Sequence, residues 1–241
     1  MFDVNFEISE IKSWIRSWFT KNGPTASAVI GISGGKDSTI IAKLLVDALG
    51  KDRVVGVMMP NGEQKDISDS QKVIDLLGIR SYTINIADAY KGLLGQLDNP
   101  SQATKENIPP RLRMTTLYAI AQSLPEGGRV CNTCNCSEDY VGYSTKFGDS
   151  AGDFSPCCEF TVTEMLQIGD ALGLPAELVH KTPSDGLCGK TDEDNLGFTY
   201  AELDHYIATG EIDDNDKKEN IERRHRINLH KVSPMPKYER I

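Results

Sequence analysis

The sequence predicts an α/β protein built on a doubly wound, mostly parallel sheet with helices on both faces. Three observations carry this. A short β-branched run, Ser27 to Ile32, leads through a glycine turn into a helical stretch. The same strand-helix alternation then repeats as far as Ile86, and Gly50 and Gly78 stand where the intervening helices should stop. Strands alternating with helices call for parallel pairing, and right-handed crossovers wind the chain over both faces.

Taken in order, Glu7 to Thr20 reads as a helix, with Ile8, Ile11, Trp14 or Ile15, and Trp18 at helical spacing, ended by Asn22-Gly23-Pro24. Ser27 to Ile32 suits a buried parallel strand. Ser33 to Ser38 is a tight turn and Thr39 to Leu49 a helix. Arg53 to Met59 is the second strand, Asp66 to Leu77 a helix, and Arg80 to Ile86 the third strand. Ala103 to Ser123 is a long helical stretch that Pro109-Pro110 should break or start. Arg129 to Thr133 is a fourth strand, and Glu138 to Tyr143 begins a helix. Lys146 to Pro156 is a loop rich in glycine and aspartate. Val162 to Leu172 is helical. Pro183 to Leu196 has turn chemistry without periodicity and is expected to be a mobile loop. Tyr200 to Ala208 and Asp213 to Arg226 are terminal helices.

The 241 residues fit a single domain, with a core over about 25–180 and a helical C-terminal part over about 197–241. No apolar run is long enough to span a bilayer, and the N-terminal residues lack a basic head and unbroken apolar stretch, so the cytoplasm is the expected location. The net charge of −9 speaks against wrapping nucleic acid. A late basic cluster (Arg223, Arg224, Arg226, Lys231, Lys237, Arg240) is either a solvated tail or a patch that meets a substrate phosphate. The six cysteines are expected to be reduced thiols.

The sharpest signal is Gly31-Ile32-Ser33-Gly34-Gly35-Lys36-Asp37-Ser38, placed between a strand and a helix. Gly34 and Gly35 leave room for a phosphate against the backbone, and the N–H groups of the turn and helix start form an anion-binding concavity. Ser33 and Ser38 add hydroxyls. Asp37 beside a phosphate implies an intervening cation, because Mg²⁺ is commonly held by one or two carboxylates plus substrate phosphates. The pattern is neither a Walker A loop nor a Rossmann fingerprint.

These residues resemble the SGGxDS loop of the ATP pyrophosphatases, which cleave ATP to AMP and pyrophosphate on an adenine nucleotide alpha hydrolase-like sheet. Further segments resemble the NAD synthetases among them. These are Pro60 to Asp66, Glu106 to Met114 with Tyr118 to Ala121, Asn132-Thr133 with Ser137-Glu138, Gly142 to Asp149, Lys181 to Ser184, Thr191 to Gly197, and His230-Lys231. The likeness runs collinearly over about 28–231.

The resemblance implies a ligase that converts nicotinic acid adenine dinucleotide (deamido-NAD) to NAD with ATP and ammonia, through an acyl adenylate. It implies ATP contacts from the loop, Thr133 and Ser184, and Mg²⁺ on Asp37 and Glu138. It assigns Arg111, Lys146, Asp153, His230 and Lys231 to the dinucleotide, and it implies a homodimer. Fewer than 30 residues precede the matching stretch and about ten follow it, so no glutaminase domain is expected and the nitrogen source is ammonia.

Two features depart from that family. Val162 stands where a lysine usually contacts phosphate; Lys36 or Lys190 is the expected substitute. Asn132 replaces a glycine within Cys131-Asn132-Thr133-Cys134-Asn135-Cys136, where tight packing of small residues is favoured over a thiolate metal site. The alternatives are another ATP pyrophosphatase, such as a tRNA thiolase, and an ATP-binding module without turnover.

Overall fold

The computed structural model describes residues 2–63, 67–181 and 191–240. Four parallel strands lie in the order β3-β2-β1-β4: β1 Ser27–Gly31, β2 Val54–Met58, β3 Arg80–Thr83 and β4 Gly128–Val130. Ala28 pairs with Val54 on one side of β1, and Ser27 pairs with Gly128 on the other. Period-two alternation then gives each central strand two buried faces. Ala28 and Ile30 face a core shared with α1 (Val4–Asn22), α2 (Lys36–Leu49), α3 (Ile67–Leu77) and α7 (Val162–Ala171). Val29, Val55, Val57 and Val130 face Met114, Leu117 and Ala121 of α5 (Gln102–Ser123). The expected doubly wound architecture is present. β3 is one edge, and all four of its residues are exposed.

Three expectations need correction. The buried stripe of α1 is Ile8, Ile11, Ile15 and Phe19. Trp14 stays 44% exposed, and Trp18 lies on the flank, stacked on Phe154 at 4.6 Å between centroids. A helix buries one face, and Trp14 lies off it.

The second correction concerns α5, which runs unbroken through Pro109 and Pro110. Each proline forgoes one intrahelical hydrogen bond. Ile108 and Pro109 are nonetheless buried, and α5 packs along β1 and β4, so tertiary contact overrides the local penalty.

The third concerns the expected loop over Pro183 to Leu196. Residues 183–190 of it, with Ser184 and Lys190, lie outside the described residues. Its end is a short helix, α9 (Asp192–Leu196), begun by a capping box between Thr191 and Asp194.

Two short helices carried no clear sequence signal, α4 (Ala87–Leu94) and α8 (Ala176–Val179). α2 begins three residues earlier than expected.

The C-terminal part packs α6 (Cys136–Val141), α10 (Tyr200–Thr209) and α11 (Asn215–Val232) around Val141, Leu196, Phe198, Leu203 and Ile221. Asp204 is its polar anchor. It accepts from Ser137 Oγ and from the backbone N and Oγ1 of Thr163, at 2.8 and 2.6 Å for the last two, and so joins α6, α7 and α10.

Gly142 ends α6 at φ 63°, and a Cβ there would lie 2.2 Å from Asn228 Cβ of α11. Asn228 Nδ2 donates to Val141 O at 3.0 Å and Lys231 Nζ to Gly142 O at 2.8 Å, so α11 is fastened at this spot. Gly142→Ala should therefore destabilise the protein by about 2–4 kcal/mol through left-handed strain and overpacking. Urea unfolding of the two proteins measures the difference.

Candidate active site

Strand order reverses between β1 and β4, and a cleft of about 670 Å³ opens beyond their C-terminal ends. Crevices at such reversals are the usual ligand sites of open α/β sheets. Gly31, Ile32, Ser33, Gly35, Lys36, Asp37 and Ser38 line it on one side and Thr133 and Glu138 on the other. Gly34 does not line the cleft. Its φ is 77°, and a Cβ there would meet Ser70 N at 2.8 Å, so it lets the turn close against α3.

The turn is fixed before any ligand arrives. Gly35 N donates to Ser33 Oγ at 3.2 Å, Ser33 N to Ser38 Oγ at 3.3 Å and Thr39 Oγ1 to Gly35 O at 2.8 Å. Gly35 caps α2 without a side-chain hydrogen bond. The first N–H groups of α2 thus carry the partial positive charge of a helix start toward the cleft.

Asp37 and Glu138, 101 positions apart in the chain, meet at one lysine. Lys36 Nζ lies 2.8 Å from Asp37 Oδ2 and 3.9 Å from Glu138 Oε1. Asn135, fully buried, holds the two acids in register. Its Oδ1 caps α6 by accepting Glu138 N at 3.0 Å, and its Nδ2 donates to Asp37 Oδ1 at 3.2 Å.

Burial first, and then the Asp37 charge, push the Glu138 carboxyl up to about 8, although 19% of its side chain remains accessible at the cleft floor. Burial alone would lower the Lys36 ammonium. The charges of Asp37 and Glu138 outweigh it and carry it up to about 12. Asp192 at the start of α9 adds a third carboxylate that acts on both groups. Tyr200 lies beneath, its ring centroid 5.5 Å from Lys36 Nζ.

Of the residues assigned to the second substrate, Lys231 lines this cleft and also an adjoining cavity of about 310 Å³. Lys146 lines the smaller cavity, together with Phe147 and Tyr118. Arg111, Asp153 and His230 line neither. Arg111 Nε donates to Lys146 O at 3.1 Å and Lys146 Nζ donates to His230 O, so these three residues form one chain at the rim. Asp153 accepts from Val130 N at 2.7 Å and Tyr118 OH at 3.1 Å, so both its oxygens tie β4 and α5 together.

Sequence reasoning gave no individual role to Asn135, Asp192, Arg113 or Lys181, the last three of which line the cleft. Arg113 is anchored by Nε to Met59 O at 3.1 Å. Burial lowers its guanidinium, against the charge of Asp149. The asparagine three residues before Glu138 is a recognisable helix cap and was the available signal. From the basic cluster, Arg224 and Lys231 reach the cleft.

Val162 sits in an apolar setting with Leu196, Phe198 and Tyr200, its N–H bonded to Ser137 Oγ at 2.9 Å. Cys131, Cys134, Cys136, Cys157 and Cys158 are free thiols. Burial raises Cys131, Cys134 and Cys157 well above the usual range. Among the described residues no three His, Cys, Asp or Glu side chains are grouped to hold a metal by themselves.

The folded protein holds the Glu138 proton to a higher pH than the unfolded chain, whose value is 4.5. Its favourable contribution is therefore complete below that value and is lost as pH rises toward about 8. Glu138→Gln should raise the melting temperature at about pH 8 and leave it nearly unchanged at about pH 5. Thermal scans at both pH values in a metal-free buffer would read this, and a gap that does not widen with pH would refute it.

The family model for NAD synthase matches residues 7–239. The NH(3)-dependent NAD(+) synthetase of Pyrococcus furiosus is 42% identical over 191 residues, covering 78% of this chain and 74% of its own. That of Alkaliphilus metalliredigens is 33% identical across 97% of this chain and 99% of its own. Among solved structures, NMN synthetase from Francisella tularensis superposes with a TM-score of 0.90 at 33% identity, over 99% of both chains. A parallel sheet with the loop at its reversal point, together with a match spanning nearly the whole length, leads to one conclusion: this chain belongs to the NAD synthase family.

Proposed function

We propose that this protein is a C–N ligase that amidates deamido-NAD with ammonia at the expense of ATP, yielding NAD, AMP and pyrophosphate. The observation that carries this reading is the meeting of Asp37 and Glu138 beside the phosphate-binding turn. The turn from Gly31 to Ser38, with Thr133 and Ser184, takes ATP. Asp37 and Glu138 would hold Mg²⁺. The fit rests on the donor set, two carboxylates facing one cleft, which phosphate oxygens and water would complete. When bound, the ion withdraws charge from the phosphate oxygens.

The chain's own residues do the rest. The N–H groups of the turn and Ser33 and Ser38 orient the polyphosphate. Arg111, Lys146, Asp153, His230 and Lys231 form the side that receives the nicotinate substrate. Lys231 reaches both cavities and is the residue suited to neutralise a phosphate at their junction. The nicotinate carboxylate then attacks the α-phosphorus and pyrophosphate leaves; ammonia next displaces AMP from the acyl adenylate, losing a proton to solvent as the amide forms. No protein nucleophile is required; in well-oriented reactions juxtaposition of the reactants lowers the barrier by up to about 7–11 kcal/mol.

We place residues 1–241 in one synthetase domain acting in the cytoplasm, with small molecules rather than nucleic acid as partners. No helix among the described residues is long and apolar enough to cross a membrane. A homodimer is supported by exposed apolar side chains at the smaller cavity, Phe147 at 61% and Met235 at 70%.

A second reading, amidation of nicotinate mononucleotide, is favoured by the likeness to the Francisella tularensis NMN synthetase. Purified protein given ATP, Mg²⁺ and ammonium with either acid substrate separates the two. NAD forming faster from the dinucleotide supports the first, and NMN forming faster from the mononucleotide supports the second. Asp37→Ala should lower turnover of the preferred substrate about 10²-fold or more. Unchanged turnover in that variant would reject the site.

A further inference from the structure

Lys36 is placed to do more than touch a phosphate. It is the first residue of α2, and only 5% of its side chain is exposed. Its ammonium is 2.8 Å from Asp37, 3.9 Å from Glu138 and 5.5 Å from the centroid of the Tyr200 ring, with the charge of Asp192 also acting on it. Carboxylates brought together in a buried cleft are costly unless a cation lies among them. A lysine supplies a compact charge with three donors on a stem that can swing.

A divalent cation on Asp37 and Glu138 needs the same oxygens. An ammonium 2.8 Å from Asp37 Oδ2 and 3.9 Å from Glu138 Oε1 opposes it, because the two cations repel across that distance. Beyond these two acids, Asp192 is a further carboxylate whose charge reaches the ammonium. Below it are a ring face and the Tyr200 hydroxyl, which is buried without a hydrogen-bond partner. A polyphosphate seated on the turn beside Lys36 would give the ammonium new oxygens.

We propose that Lys36 is a tethered competitor of the divalent cation, so that the metal enters Asp37 and Glu138 well only when a nucleotide polyphosphate draws the ammonium away. The inference rests on assigning those two acids to the metal and adds the coupling between metal and nucleotide. Metal alone then binds weakly, and metal and nucleotide each favour the other by the same factor.

The test uses Mn²⁺ as the probe, with free Mn²⁺ followed by its paramagnetic resonance signal. The full-length wild type is compared with Lys36→Met, with and without an ATP analogue whose α,β bridge is methylene. Without nucleotide, Lys36→Met should bind Mn²⁺ about 5–150-fold tighter than wild type, the range typical of coupled sites. The gain should vanish in the double variant Lys36→Met/Glu138→Gln and shrink when the analogue is present.

Equal or weaker Mn²⁺ binding by Lys36→Met without nucleotide, with wild type still binding Mn²⁺ beside the analogue, would overturn the competition alone. No Mn²⁺ binding by any protein, analogue included, would overturn the metal assignment and the coupling together. Should circular dichroism show Lys36→Met unfolded, Lys36→Gln is read in the same way.

Discussion

The arrangement of the site depends on one constraint: two carboxylates from distant parts of the chain must be held close together in a half-buried cleft. Electrostatics opposes this, and the molecule answers with three groups. Lys36 bridges the acids. Asn135 spends its carbonyl oxygen on the start of α6 and its amide on Asp37, so one residue sets both the helix and the spacing. Asp204 then fixes α6 against α7 and α10 from the far side. The raised Glu138 carboxyl is the residual cost of that placement.

The sheet serves this constraint. β1 and β4 are neighbours although about 100 residues separate them, and the turn after β1 and the segment after β4 therefore face each other. Asp153 holds β4 through Val130 N and holds Tyr118 of α5, so its nearness to the substrate side is coupled to strand position. Fastening α11 at Gly142 brings Lys231 over the junction of the two cavities. A basic residue near the C-terminus thereby reaches a cleft formed by the first strand.

Much of this was legible in the sequence. The β-branched runs at 27–32 and 53–59 are buried on both faces, which is why they read as strands without alternation. The loop from Gly31 to Ser38 carried its own context. Local signals failed where packing decided. Pro109 and Pro110 should break or start a helix, yet α5 runs on through them in contact with the sheet. Trp14 and Ile15 were equivalent by spacing, and only the position of α2 and α7 selected Ile15 for the core. What Asp192 and Arg224 do at the cleft was not readable locally, because it arises from distant neighbours.

By itself the sequence determined the order of strands and helices, the glycine turn and the residue types able to hold phosphate and cation. These depend on side-chain volume, backbone freedom and polarity within a few residues of one another. Tertiary structure alone decided that Lys36 lies between Asp37 and Glu138, that Val162 is buried among apolar groups, and that Lys231 bridges two cavities. Those facts concern distances across the chain and the loss of water around charge, and neither is fixed until the strands have paired.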